Sequence, residues 1–154
     1  MNILMVCLGN ICRSPLAEGI MIDKLGKAGN AAYFVDSAGT GGWHSGEKPD
    51  HRSITIAAKH DISIDHQRAR KIHIDDFKRF DLILAMDSSV YNDLNDLAPT
   101  ESKDKVQLFL QYAGMGDRDV PDPWYGEAED FRKVFDLIDT ACENIAHKLL
   151  TNNS

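Results

Sequence analysis

Cysteine is scarce in this chain, with three among 154 residues, and an odd number at uneven spacing builds neither a disulfide framework nor a zinc site. Long apolar runs are absent too. Nothing approaches the ~18 consecutive residues of a membrane span, and the apolar opening Met1 to Val6 reaches Gly9 and Asn10 too soon for a signal-peptide core. The expectation is a protein of the reducing cytoplasm with no membrane span. Basic residues are in deficit, 17 Lys and Arg against 24 Asp and Glu for a net charge of -7, which excludes a nucleic-acid partner held by counterion release. An anionic substrate must therefore be gripped by a local site. Repeats, low-complexity blocks and composition shifts are also missing, and 43% hydrophobic residues suffice for a core. Residues 1–154 are read as one domain, with the polar end Thr151 to Ser154 expected to be disordered.

What is present alternates between strand and helix signals. Asn2 to Cys7 is a short Ile/Leu/Met/Val run suited to a strand covered on both faces. A polar break at Leu8-Gly9-Asn10 follows. Ser14 then stands as an N-cap before Pro15, and Ala17, Met21, Leu25 and Ala28 recur at helical spacing up to a stop at Gly29-Asn30. Ala32 to Val35 reads as a second strand, Gly39 to Gly46 as a long loop and Asp50 to His60 as a helix. Asp81 to Met86 is a third strand, Ser88 to Leu97 a helix and Lys105 to Phe109 a last strand. In the final helix Phe131, Val134, Phe135, Ile138, Cys142, Ile145 and Leu149 share one face, while Glu127, Glu129 and Asp130 complement its N-terminus. The pattern predicts an α/β fold: an open parallel sheet of about four strands with helices on both faces, flavodoxin- or Rossmann-like.

Such folds bind ligands beyond the carboxyl ends of their strands, where Cys7-Leu8-Gly9-Asn10-Ile11-Cys12-Arg13-Ser14-Pro15 joins the first strand to the first helix. A loop curling over a helix N-terminus turns backbone N–H groups inward and makes an anion site without net positive charge. Gly9 permits close backbone approach, Asn10 tolerates a left-handed conformation, and Arg13 offers a planar fork for two phosphate oxygens. The same field favours a thiolate at its centre: a free thiol titrates at ~8.5, and helix N-termini with nearby cations bring it to about 3.5–7.5. Alone, a cysteine at a strand end is ordinarily a buried structural residue. The arginine six positions on and the Ser-Pro helix start favour a reactive Cys7.

CLGNICRSP so near the N-terminus resembles the signature of the low-molecular-weight protein tyrosine phosphatases. The likeness continues through Asp36-Ser37-Ala38-Gly39-Thr40, Trp43, Gly46, Pro49-Asp50-His51-Arg52, Ala85-Met86-Asp87 and Val120-Pro121-Asp122-Pro123-Trp124-Tyr125-Gly126. The resemblance implies that Cys7 attacks phosphorus to form a phosphocysteine, while Arg13 and the N–H groups of Leu8 to Cys12 hold the equatorial oxygens. It further implies that Ser14 donates to Cys7, and that Asp122 protonates the leaving phenolate and later takes a proton from the hydrolytic water. By residue type alone Asp122 is one loop aspartate among several, Asp117 and Asp119 included.

The resemblance makes Trp43, Trp124 and Tyr125 the walls of a narrow pocket for aryl phosphates, with His44 beside them. It makes Asn10, Ser37 and His66 a loop-supporting network, Asp87 a further polar support, and Cys12 a redox partner for Cys7. Arg68, Arg70 and Lys71 form the basic cluster, most simply a solvated face. The implied partners are tyrosine-phosphorylated proteins or peptides, with inorganic phosphate and similar oxyanions as inhibitors. A monomer, at most weakly self-associating, is expected. No cofactor or metal is expected, the histidines being scattered. Two rivals remain: a thiol-relay arsenate reductase, which would need cysteines that Met86 to Pro99 lacks, and a phosphate- or phosphotyrosine-binding protein without turnover.

Overall fold

The structure is a computed structural model that describes residues 1–27 and 32–152. Four parallel strands, β1 (Asn2–Cys7), β2 (Phe34–Gly39), β3 (Leu82–Ala85) and β4 (Val106–Leu108), lie in the order β2-β1-β3-β4. The apolar first strand is thus central, paired through Val6 with Ala38 on one side and Ala85 on the other. Its side chains alternate between two cores. Ile3, Met5 and Cys7 join Leu84 beneath the helices α1 (Arg13–Lys27), α2 (His51–Lys59) and α6 (Ala128–Asn152). Leu4 and Val6 join Ile83 and Ala85 against α3 (Asp76–Arg79) and α4 (Ser88–Leu97) on the opposite face. The expected covering of both faces is present.

Several expected boundaries move for physical reasons. The second strand starts at Phe34, not Ala32, because Phe34 is the partner of Asn2, and it runs on to Gly39, which pairs with Cys7. Polar Asp36 and Ser37 disguised it: Asp36 meets Arg70, and Ser37 meets Asn10 and Glu18. The last strand stops at Leu108, since Phe109 opens the short α5 (Phe109–Tyr112). Neither α3, α5 nor the 3₁₀ turn at Thr100–Lys105 was expected, being too short for a 3.6-residue period to register. Helix α4 lies where the sequence placed it, capped by the Asp87 side chain on Val90 N at 2.8 Å. At the C-terminus Thr151 continues α6, so the expected disorder does not begin there; Asn153 and Ser154, like Ala28 and the Gly29-Asn30 stop, lie outside the described residues.

Candidate active site

The loop after β1 is fixed by its own carbonyls. Thr40 N donates to Cys7 O at 3.0 Å, Gly41 N to Leu8 O at 2.9 Å and Asp50 N to Ile11 O at 2.7 Å, while Ser53 Oγ donates to Cys12 O at 3.2 Å. In a trans peptide the N–H points opposite to the C=O, so these bonds aim the N–H groups of Leu8, Gly9, Cys12 and Arg13 to the other side of the loop. Asn10 makes the sharp turn at φ 57, the left-handed region expected of it. Gly39 admits the loop at close range: a Cβ there would lie 2.8 Å from Leu8 O.

Cys7 lies at the floor, buried, its Sγ 3.0 Å from Ser14 Oγ. Helix α1 begins at Arg13, so Ser14 stands in its first turn instead of capping it, and its hydroxyl belongs to the cysteine and to Asn10 Nδ2, 2.8 Å away. Arg13 is buried as well. One guanidinium nitrogen, Nη1, donates to Asp87 Oδ2 at 2.6 Å and to Val120 O at 3.0 Å. Burial alone would lower its proton affinity, but Cys7, Asp87 and Asp122 outweigh that, and the net shift is upward. Its other terminal nitrogen lies 3.6 Å from Asp122 Oδ2. Asp122 in turn accepts from Trp124 N at 3.1 Å, an Asx turn that orients the carboxylate.

These groups share one cavity of about 170 Å³, lined by Cys7, Leu8, Gly9, Ile11, Cys12, Arg13, Trp43, His44, Asp122, Trp124 and Tyr125. Every expected pocket residue except Asn10 and Ser14 is on that lining; those two lie behind the loop. Trp43 and Tyr125 form the rim, 71% and 97% exposed. Trp43 lies across Gly41, where a Cβ would come within 1.8 Å of its ring. Cys12 is buried on the same cavity, and burial, followed by Asp50 and Cys7, pushes its thiol well above the usual cysteine range.

The supporting network differs from the expected one. Asn10 and Ser37 belong to it, Asn10 Nδ2 donating to Ser37 Oγ at 3.0 Å, but His66 is exposed and has no hydrogen bond to it. Buried Glu18 stands at its end, accepting from Ser37 Oγ at 2.6 Å. Glu18 was missed because a glutamate in a helix reads as solvated; the signal that could have found it is its place one turn after Ser14, on the same helix face. Arg52 was also missed as a site residue. Its guanidinium donates to Asp50, to Gly126 O at 2.9 Å and to Trp124 O at 3.1 Å, tying the Asp122 loop to α2. Among the described residues no cluster could hold a metal ion.

The family model for low molecular weight phosphotyrosine protein phosphatases matches residues 2–154. The chain is 47% identical over 133 residues to the low molecular weight phosphotyrosine protein phosphatase of Schizosaccharomyces pombe, covering 84% of this chain and 85% of that protein. It is 42% identical over 141 residues to the low molecular weight protein-tyrosine-phosphatase of Streptomyces coelicolor, covering 88% and 85%. Among solved structures, a protein tyrosine phosphatase from Entamoeba histolytica with Hepes in the active site superposes with a TM-score of 0.93 at 36% identity, over 100% of this chain and 99% of that one. A loop that presents a cysteine, an arginine and inward N–H groups to one aromatic-rimmed cavity thus occurs in a chain that belongs to the low molecular weight phosphotyrosine protein phosphatase family.

Proposed function

We propose that this phosphatase hydrolyses phosphotyrosine, in proteins or peptides, through a phosphocysteine formed on Cys7, with Arg13 as phosphate binder and Asp122 as general acid and base. The observation that carries the reading is the convergence on one cavity of Cys7 Sγ, an Arg13 side chain held by Asp87 and Val120, and the Asp122 carboxylate. In the first step Cys7 Sγ attacks phosphorus, the bond from phosphorus to the aryl oxygen breaks, and the Asp122 proton goes to that oxygen. The loop N–H groups and Arg13 offset the charge on the equatorial oxygens. In the second step water attacks phosphorus, Asp122 takes its proton, and Cys7 leaves as a thiolate accepting the Ser14 hydroxyl. Trp43, Trp124 and Tyr125 favour a flat aryl ester that reaches the floor, over the shorter phosphoserine. Inorganic phosphate and related oxyanions compete for the same loop.

The test follows p-nitrophenyl phosphate hydrolysis by the reduced protein. Cys7→Ser is expected to abolish turnover, and Asp122→Ala to lower kcat by about 10²- to 10⁴-fold, the usual contribution of a general acid. Turnover by Cys7→Ser would overturn the reading. The common cavity of Cys7 and Cys12 supports a redox reading too: peroxide oxidises the Cys7 sulfur to a sulfenic acid, and the Cys12 thiol condenses with it, releasing water and forming a disulfide. Thiol should restore activity to the peroxide-treated native chain and not to Cys12→Ser. No helix among the described residues is long and apolar enough to cross a membrane, and three free cysteines suit a reducing cytoplasm.

A further inference from the structure

We infer that Glu18 is a positioning residue for the reaction, its carboxylate anchoring a set of hydrogen bonds in which Asn10 Nδ2 donates to both Ser37 and Ser14, so that the Ser14 proton is left for Cys7. The set follows from counting donors. Asn10 Oδ1 accepts from the backbone N of Arg70 at 3.0 Å, which fixes the amide so that Nδ2 faces both serines. Nδ2 has two hydrogens, one directed to Ser37 Oγ at 3.0 Å and the other to Ser14 Oγ at 2.8 Å. Each serine oxygen is therefore an acceptor towards Asn10 and has a single proton to place elsewhere. The Ser37 proton goes to Glu18 Oε1 at 2.6 Å, and that of Ser14 points to Cys7 Sγ at 3.0 Å.

Without an acceptor at position 18 the Ser37 hydroxyl is free to rotate, and its lone pair no longer holds the Asn10 amide. The donor to Ser14 Oγ is then less firmly held, and the aim of the Ser14 proton slackens. Glu18 is 8% exposed and has no cation in contact, so its burial is costly and calls for a compensating role. The charged groups facing it are Asp36, which raises its proton affinity, and Arg70, which lowers it; burial is the larger effect, and the carboxyl is pushed up to about 7. The anchor thus holds its full charge only above neutral pH.

The inference rests on Cys7 as nucleophile. Because the Ser14 hydroxyl assists departure of the Cys7 thiolate, Glu18→Leu, apolar and without an acceptor, should lower kcat by about three- to tenfold, the scale of one ordinary hydrogen bond. The rapid first release of p-nitrophenol should persist, since the loss falls on the second step. Glu18→Gln, which keeps an acceptor, should recover most of the activity. In a Ser14→Ala background Glu18→Leu should cause no further loss. An equal loss in that background, or an unchanged kcat in Glu18→Leu alone, overturns the inference while leaving the cysteine mechanism intact. Turnover by Cys7→Ser would instead remove the mechanism itself. If Glu18→Leu does not fold, Ser37→Ala cuts the same link with Glu18 in place, and the same dependence on Ser14 decides.

Discussion

Two side-chain carboxylates are buried among the described residues, with opposite provision. Asp76, 1% exposed, accepts from Arg70 Nη1 at 3.0 Å, from Arg70 Nη2 at 3.1 Å and from His73 N at 2.7 Å. Glu18, 8% exposed, accepts one hydrogen bond from a serine and touches no cation. The first arrangement offsets desolvation with a charge and two hydrogen-bond directions, so it belongs to the scaffold that holds the segment from Arg70 to Arg79. The second leaves most of the desolvation cost in place. A fold tolerates such a cost where the group acts on something else, and Glu18 lies at the end of the hydrogen-bonded set that reaches Cys7.

The largest expected effect is on the compensated partner. Asp76→Ala strips Arg70 of its buried anion, and stability should fall by about 3–5 kcal/mol, read from urea unfolding; a loss below 1 kcal/mol would mean that Asp36 alone satisfies Arg70. Glu18→Gln should move the other way. A carboxyl whose proton is held more tightly in the folded chain has no effect on stability below about pH 4, where both states are protonated. Its cost grows as pH rises and is complete above the folded value. With that value at about 7 against an ordinary 4.5, the native chain should lose about 3 kcal/mol between pH 4 and pH 8 through this group. Glu18→Gln should therefore be the more stable protein at pH 8 and gain little at pH 4.5. Equal stability at pH 8 would erase the contrast.

A third carboxylate lies between the extremes. Asp50 is half-buried and meets Arg52 through Nε at 3.0 Å and Nη2 at 3.1 Å. The pair is open enough that Arg52→Ala should cost no more than about 1 kcal/mol of stability. Because Arg52 also holds the Trp124 and Gly126 carbonyls, kcat for p-nitrophenyl phosphate should drop about tenfold as the Asp122 loop loosens. The smallest effect is on titration. The Ser37 hydrogen bond draws the Glu18 value down, so Ser37→Ala should raise the midpoint seen in carboxyl-carbon NMR by up to about one pH unit.

The sequence made the centre of this site legible and its underside illegible. Cys7, Gly9, Asn10, Arg13 and Ser14 fall within one short stretch, and a strand-loop-helix order carries its own geometry. Trp43, Asp122, Trp124 and Tyr125 come from distant loops, and family resemblance, not periodicity, brought them to one cavity. The support beneath the loop has no linear signature: Glu18 looks like any exposed helical acid, whereas His66, set in a polar run, faces solvent. Strand β2 was half-read for the same reason, since Asp36 and Ser37 interrupt its apolar pattern to meet partners that exist only in three dimensions.

The anchoring of Arg13 bears on how activity arises as the chain is made. The arginine is synthesised well before its hydrogen-bond acceptors, which lie 74 and 107 positions further on, at Asp87 and Val120. A nascent chain with the signature loop complete can form none of these contacts. Its guanidinium stays unaimed until β3 has joined the sheet and the segment before Asp122 has emerged and docked. Phosphate recognition is therefore a late event in folding, and a chain truncated before Val120 should carry the nucleophile without the power to use it.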